Sequence, residues 1–190
     1  MIPRKNKDLI LIFDTNIFLT GIDFNVIDGL IYTTPQIIEE IKVAKYSNKN
    51  RNILNKIQAA IDSKKLILKT PSKKYIEKVE NISKITGDVN ALSIPDKELI
   101  AITLELTDTI NPDVVLFTND YSMENMCVEL NISYSSLYKK GIMSKITWEV
   151  YCPFCNSVHN PEDLHKMCER CGLKLKRRPK KKNKKREVYI

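Results

Sequence analysis

The chain has few of the residues on which many enzyme chemistries depend. It holds five glycines in 190 residues. Gly21, Gly29 and Gly87 fall in the body at turns or helix ends, and none builds a phosphate-cradling loop. That excludes chemistry driven by a bound nucleotide. Its two histidines, His159 and His165, both lie between paired cysteines. No Ser–His or Cys–His pair is placed for covalent attack, so a hydrolase built from this chain uses water directly. No apolar run nears the roughly 18 residues that span a bilayer. The start, "MIPRKNKDLI", lacks the apolar segment of a secretory signal. No membrane association is expected, and the expected compartment is cytoplasmic.

Hydrophobic residues make up 43% of the sequence, enough for a core and against global disorder. The first 140 residues alternate strand-like and helix-like segments. Strands are expected at 9–13, in "IYTT", in "KLILKT", at 113–118 and in "ISY". Helices are expected from Pro35 to about Tyr46, over "RNILNKIQAAIDS", over "SKKYIEKVENISKIT" up to Gly87, from Pro95 to 107, and over "DYSMENMCVEL". This alternation predicts an α/β fold, a parallel β-sheet covered by helices. After Tyr138 the character changes, and the division expected is 1–140, a small cysteine-bearing module at 141–176, and a basic tail at 177–190.

Charge is concentrated. "KLKRRPKKKNKKR", 174–186, holds ten Lys and Arg and no acid. Residues 174–190 sum to +9 with Glu187 counted, which leaves −1 for the rest of a chain of net charge +8. Such blocks contact nucleic acid, or serve as solubilising tails or localisation signals. Aromatic partners for bases are missing from the run until Tyr189, so phosphate contact is the expected mode.

Cys152 and Cys155 form C-P-F-C, and Cys168 and Cys171 form C-E-R-C with Gly172 next. Two such knuckles 12 residues apart bring four thiolates to one Zn²⁺, with no position left open for substrate. Zinc here is expected to be structural. Cys127, on an apolar helix, reads as core packing.

The acids are the second constellation. Asp14 ends the strand in "LILIFDTN", where it either caps a helix or reaches into a site beyond the sheet. Asp120 likewise follows "VVLFTN". On the helix after Pro35, Glu40 lies roughly 100° from the centre of the apolar face and Glu39 roughly 160°. Glu39 is therefore expected in solvent and Glu40 beside the core. Asp96, just after Pro95, either interacts with the helix dipole or joins the site, and Glu98 is its rival. Acids drawn from four segments suit one or two Mg²⁺ or Mn²⁺ ions and hydrolysis of a phosphodiester.

"FDTNIFL", "PQIIEEI", "IPDKELIAITLEL" and "FTNDYSMEN" resemble, in order, the acidic motifs of PIN-domain ribonucleases. With the four-cysteine ribbon behind them, and with "KITGDVNALSIPDKELIAITLEL", the chain over about 8–172 resembles the Nob-one endoribonuclease family in its archaeal form. The resemblance implies a PIN-like nuclease domain followed by a zinc ribbon. It implies catalytic metal-binding roles for Asp14, Glu40, Asp96 and Asp120, with Asn16 and Thr118 as polar neighbours, and dependence on Mn²⁺ or Mg²⁺. It also implies maturation of the 3′ end of small-subunit rRNA by cleavage of precursor rRNA on the immature small ribosomal subunit, with a KH-domain assembly factor as partner. The alternatives are a PIN-type toxin acting on tRNA or mRNA, and a non-catalytic RNA-binding assembly factor.

Overall fold

The computed structural model describes residues 9–43, 47–110, 113–136 and 146–180. Its larger sheet has five parallel strands in the order β3-β2-β1-β4-β5. These are β1 (Ile10–Phe13), β2 (Leu30–Thr33), β3 (Leu66–Leu68), β4 (Val114–Phe117) and β5 (Tyr134–Ser135). The helices are α1 (Thr15–Leu19), α2 (Pro35–Lys42), α3 (Ser47–Asp62), α4 (Lys73–Thr86), α5 (Ile94–Thr109) and α6 (Tyr121–Leu130). All four residues of β1 are buried, as a central strand covered on both faces requires. Around its end, Phe13 meets Phe18 and Phe117 edge-on at 5.8 and 5.6 Å. Cys127 packs in this core, where burial, reinforced by the Glu124 charge, raises its thiol pKa.

Element ends follow local chemistry. Pro35 opens α2 in its first turn, and α2 stops at Lys42, short of the expected Tyr46; residues 44–46 lie outside the described ones. Gly87 closes α4 with φ of 82°, and a Cβ there would stand 2.4 Å from the Trp148 carbonyl oxygen. Only glycine lets the second sheet come so close. The five-residue helix α1 was too short to leave a periodic signature.

A three-stranded antiparallel sheet, ordered β7-β6-β8, carries the cysteines. It comprises β6 (Trp148–Tyr151), β7 (Val158–His159) and β8 (Lys176–Pro179). Strand β8 runs across the expected division at 176, so Arg177 and Arg178 belong to this sheet rather than to a basic tail. The reason is cross-strand pairing. Arg178 bonds Glu149 at 2.7 Å and lies over the Tyr151 ring, while Arg177 lies over Trp148 at 4.5 Å. A run that reads as one charge block is thus partly a strand with its own partners. The expected linker around 140 and the cationic run from 181 lie outside the described residues.

The two sheets are bolted together through polar groups. Arg177 donates to Asp88 at 2.9 Å and to the Ser122 hydroxyl at 3.0 Å. The Asn125 amide donates to Asp88 and to the Ile146 carbonyl, each at 2.8 Å, and accepts from the Ile146 N–H at 2.9 Å.

Candidate active site and metal centre

From β1 the chain moves outward to β2 on one side and later returns to pair β4 on the other. Open α/β sheets place their ligand crevices beyond the carboxyl ends of strands at such a reversal. Asp14 follows β1 there, and Thr118 and Asp120 follow β4. Asp14 stands at the N-cap position of α1 but its side chain makes no capping bond. It accepts a hydrogen bond of 2.9 Å from the Thr118 hydroxyl instead. That hydroxyl in turn accepts from the Asp120 N–H at 3.1 Å. Asp120 caps α6, accepting from the N–H groups of Ser122 and Met123 at 2.6 and 3.2 Å. Asp96 enters from the first turn of α5, fixed by a reciprocal box with Ser93 in which its carboxylate accepts at 2.7 and 2.8 Å. Glu40 reaches in from α2 and accepts from the Thr15 hydroxyl at 2.6 Å.

The electrostatics join these groups into one site. Burial pushes the Asp14 pKa up to about 6; the Thr118 bond opposes this, and the charges of Asp96 and Asp120 add to it. Asp96 is raised mainly by burial, opposed by its bonds to Ser93, with repulsion from Asp120 and Glu40 added. The charges that weigh most on Asp14 are carboxylates, and no lysine or arginine among the described residues pairs with it. A buried carboxylate among like charges is a fit for a hard divalent cation bound through oxygen. The four acids do not close as tightly as the thiols described below, the only group of three or more ligand atoms among the described residues within 4.8 Å of one another. Asp14, Asp96, Asp120 and Glu40 are the residues available to hold such an ion.

Their neighbours in the sequence are placed elsewhere. Glu39 is exposed and pairs with Lys42, as the helical phase predicts. Glu98 accepts from the Gln36 amide at 3.2 Å, and burial raises its pKa while its second oxygen is buried without a partner among the described residues. Asn16 is exposed. Thr15 and Ser93, which hold Glu40 and Asp96, went unrecognised as positioning groups. Ser93 carried a signal, the S-x-x-D spacing of a capping box.

The four thiols of Cys152, Cys155, Cys168 and Cys171 lie within 4.8 Å of one another. Sγ–Sγ distances are 3.2 Å for Cys152–Cys171 and 3.7 Å for Cys155–Cys168. Although burial raises its pKa, N–H groups of Arg170 and Cys171 help pull the Cys168 thiol down to about 5. At Cys171 the Leu173 N–H lowers the pKa, but Cys152 and the other sulfurs push it up to about 12. Thiolates crowded this way ionise together only around a cation, so the cluster fits a tetrahedral metal ion. His159 stays outside the set, 3.7 Å from Cys168 and bonded to Ser157 at 2.9 Å.

A family model described as the PIN domain of ribonuclease matches residues 11–106, a span that contains Asp14, Glu40 and Asp96. Fold and crevice therefore define a PIN-domain ribonuclease. Endoribonuclease Nob1 of Methanocaldococcus jannaschii is 30% identical over 190 residues, 97% of this chain and 88% of that protein. Ribonuclease VapC1 of Thermoplasma acidophilum is 29% identical over 169 residues, 89% of this chain and 78% of that protein. The 20S-pre-rRNA D-site endonuclease NOB1 of Saccharomyces cerevisiae is 38% identical over 80 residues, 42% of this chain and 16% of that protein. The chain belongs to the Nob1 family of PIN-domain endoribonucleases.

Proposed function

We propose that this endoribonuclease matures the 3′ end of small-subunit rRNA by cutting precursor rRNA on the immature small ribosomal subunit, in the cytoplasm. The observation that carries the reading is Asp14, a buried carboxylate facing other acids with no pairing cation among the described residues, in a chain similar to Nob1 along nearly its whole length. Asp14, Asp96 and Asp120 hold Mn²⁺ or Mg²⁺. When bound, the divalent cation stabilises charge at the scissile phosphate and makes attack by water feasible near neutral pH. Glu40, steadied by Thr15, orients the attacking water or holds a second ion. Water adds at phosphorus as the bond to the 3′ oxygen breaks, which leaves 5′-phosphate and 3′-hydroxyl ends. Cys152, Cys155, Cys168 and Cys171 hold a structural Zn²⁺, and a KH-domain assembly factor is the expected protein partner. The test is incubation with a precursor rRNA fragment and Mn²⁺, with product ends mapped. One cut at the mature 3′ end, abolished by EDTA and restored by Mn²⁺, is expected. Products ending in a 2′,3′-cyclic phosphate would overturn the mechanism. Binding without any cut would favour a non-catalytic assembly factor, and cleavage of tRNA or mRNA instead would favour the toxin reading.

A further inference from the structure

A cavity of about 470 Å³ opens where the small sheet meets the larger unit. Leu164 and Leu175, both buried, and Ala91 give it an apolar floor. His165, Lys174 and Lys176 stand exposed around it, Arg177 closes one side, and no acid among the described residues lines it. Lys174 and Lys176 make no ion pair with any described residue. This volume falls in the range of small-ligand pockets, about 300 to 1,000 Å³. An apolar floor under a cationic rim suits a flat, weakly polar ring that carries a negative group. Among the parts of an RNA, that is an unpaired nucleotide, with its base on the floor and its phosphate at the rim.

The cavity is also tied to the acid crevice by short paths. Ala91 is followed closely by Ser93, which holds Asp96. Arg177 bonds the hydroxyl of Ser122, whose N–H holds Asp120. A strand anchored here is therefore held against the same two segments that present Asp96 and Asp120.

We propose that this cavity receives one unpaired nucleotide of the substrate RNA, away from the cut itself, and so sets where along the strand the acids cut. The proposal rests on the reading that the chain processes precursor rRNA, and it assigns a specificity role to Lys174, Lys176 and His165.

The test uses the full chain with Lys174→Glu and Lys176→Glu combined, both exposed positions. A control carries Lys73→Glu and Lys74→Glu, the same charge change at the far end of α4, roughly 20 Å along the helix from Thr86. Binding of a precursor rRNA fragment is measured with the structural zinc in place and no Mn²⁺ or Mg²⁺ added, so cutting does not enter, and photoreactive thiouridine in the RNA reports contacts. The cavity variant is expected to lose about tenfold in affinity, the scale of one seated base with its phosphates, and to scatter the cut position when Mn²⁺ is supplied. The control should bind within about twofold of the parent, a change too small to count as a lost base contact. Cross-links in the parent should fall on the peptides around Leu164–His165 and Lys174–Arg177. Unchanged affinity in the cavity variant overturns the proposal, as does an equal loss in the control. Saturation by a free mononucleotide with the same cross-links also overturns it, since the cavity would then be an effector site. Cross-links without any cutting support the cavity while removing the processing role on which its specificity part rests.

Discussion

Asp88 and Asp14 are the two buried aspartates among the described residues, Asp88 wholly so and Asp14 with 4% of its surface exposed. Burial raises the pKa of both, but what opposes it differs. Around Asp88, the Asn125 amide donates to the carboxylate and the Arg177 guanidinium sits 2.9 Å away. Around Asp14, Thr118 and a backbone N–H oppose the shift while two further carboxylates reinforce it. The first arrangement is complete within the chain and joins two sheets. In the second, no described residue supplies the counter-charge, and a bound cation would supply it. A buried acid with a protein cation is a structural bolt; one facing other acids suits a metal ion.

The sharpest way to break this comparison is Asp14→Asn, which keeps the shape and removes the charge. Cleavage of precursor RNA should fall about 10³-fold, since a cation site worth several kcal/mol in the transition state is lost. RNA affinity measured with zinc in place and no Mn²⁺ or Mg²⁺ should hold. Single-turnover cleavage beside equilibrium binding checks both, and an active Asp14→Asn chain would place the chemistry elsewhere.

Next in size is Asp88→Ala. It leaves Arg177 and the Asn125 amide facing no carboxylate, and a half-exposed member of a broken pair puts the cost at about 3 kcal/mol. Denaturant unfolding should show it, together with faster hydrogen exchange in β8. Without divalent metal at pH 7 to 8, Asp14→Asn should act in the opposite direction and stabilise. Equal signs for the two substitutions would erase the distinction drawn between them.

The pH dependence sharpens the same point. Asp14 has a folded pKa of about 6 against an ordinary value of 3.8. The stability associated with its protonated form is fully present below about pH 4 and is lost as pH rises through about 6. With no Mn²⁺ or Mg²⁺ added the parent should therefore lose roughly 2 to 3 kcal/mol more than Asp14→Asn between pH 4 and 7.5. Asp96 shifts in the same direction, so the difference between the two proteins, not the parent's curve alone, isolates Asp14. Saturating Mn²⁺ should cancel that difference by favouring the ionised form.

Much of this site could be read from the chain because its signals are local. A buried run ending on Asp14, two cysteine knuckles and the phase of Glu40 on α2 each need fewer than about ten neighbouring residues to interpret. Side-chain pairings across the fold left no such mark. Thr15 reaches Glu40 across 25 positions, and Arg177 reaches Asp88 across 89. The same limit explains why Arg177 and Arg178 read as part of a basic tail. Glu149, Trp148 and Tyr151, which make Arg177 and Arg178 a strand's inner partners, lie a whole module upstream. The capping reading of Asp14 was right about the position and wrong about the bond, because Thr118, 104 residues away, offers the donor.

The smallest expected effect tests how finely Asp14 is set. Thr118→Val keeps the volume of a side chain that is fully buried and removes its hydroxyl. That hydroxyl is the main group holding the Asp14 pKa down, and it also accepts from the Asp120 N–H. Without it, Asp14 should become harder to ionise, so the acid limb of the cleavage profile should move to higher pH, by less than about one unit for a single neutral hydrogen bond. Cleavage at pH 6 should drop about tenfold at most, and raising the pH or the Mn²⁺ concentration should recover part of it. Asp120 keeps its bonds from Ser122 and Met123, so its placement should survive. Stability should fall by about 1 kcal/mol, the ordinary cost of one lost hydrogen bond. A loss of cleavage that neither pH nor metal recovers would mean that Thr118 positions Asp14 rather than tunes it. An unshifted profile would mean that the Asp14 charge is governed by its acid neighbours alone.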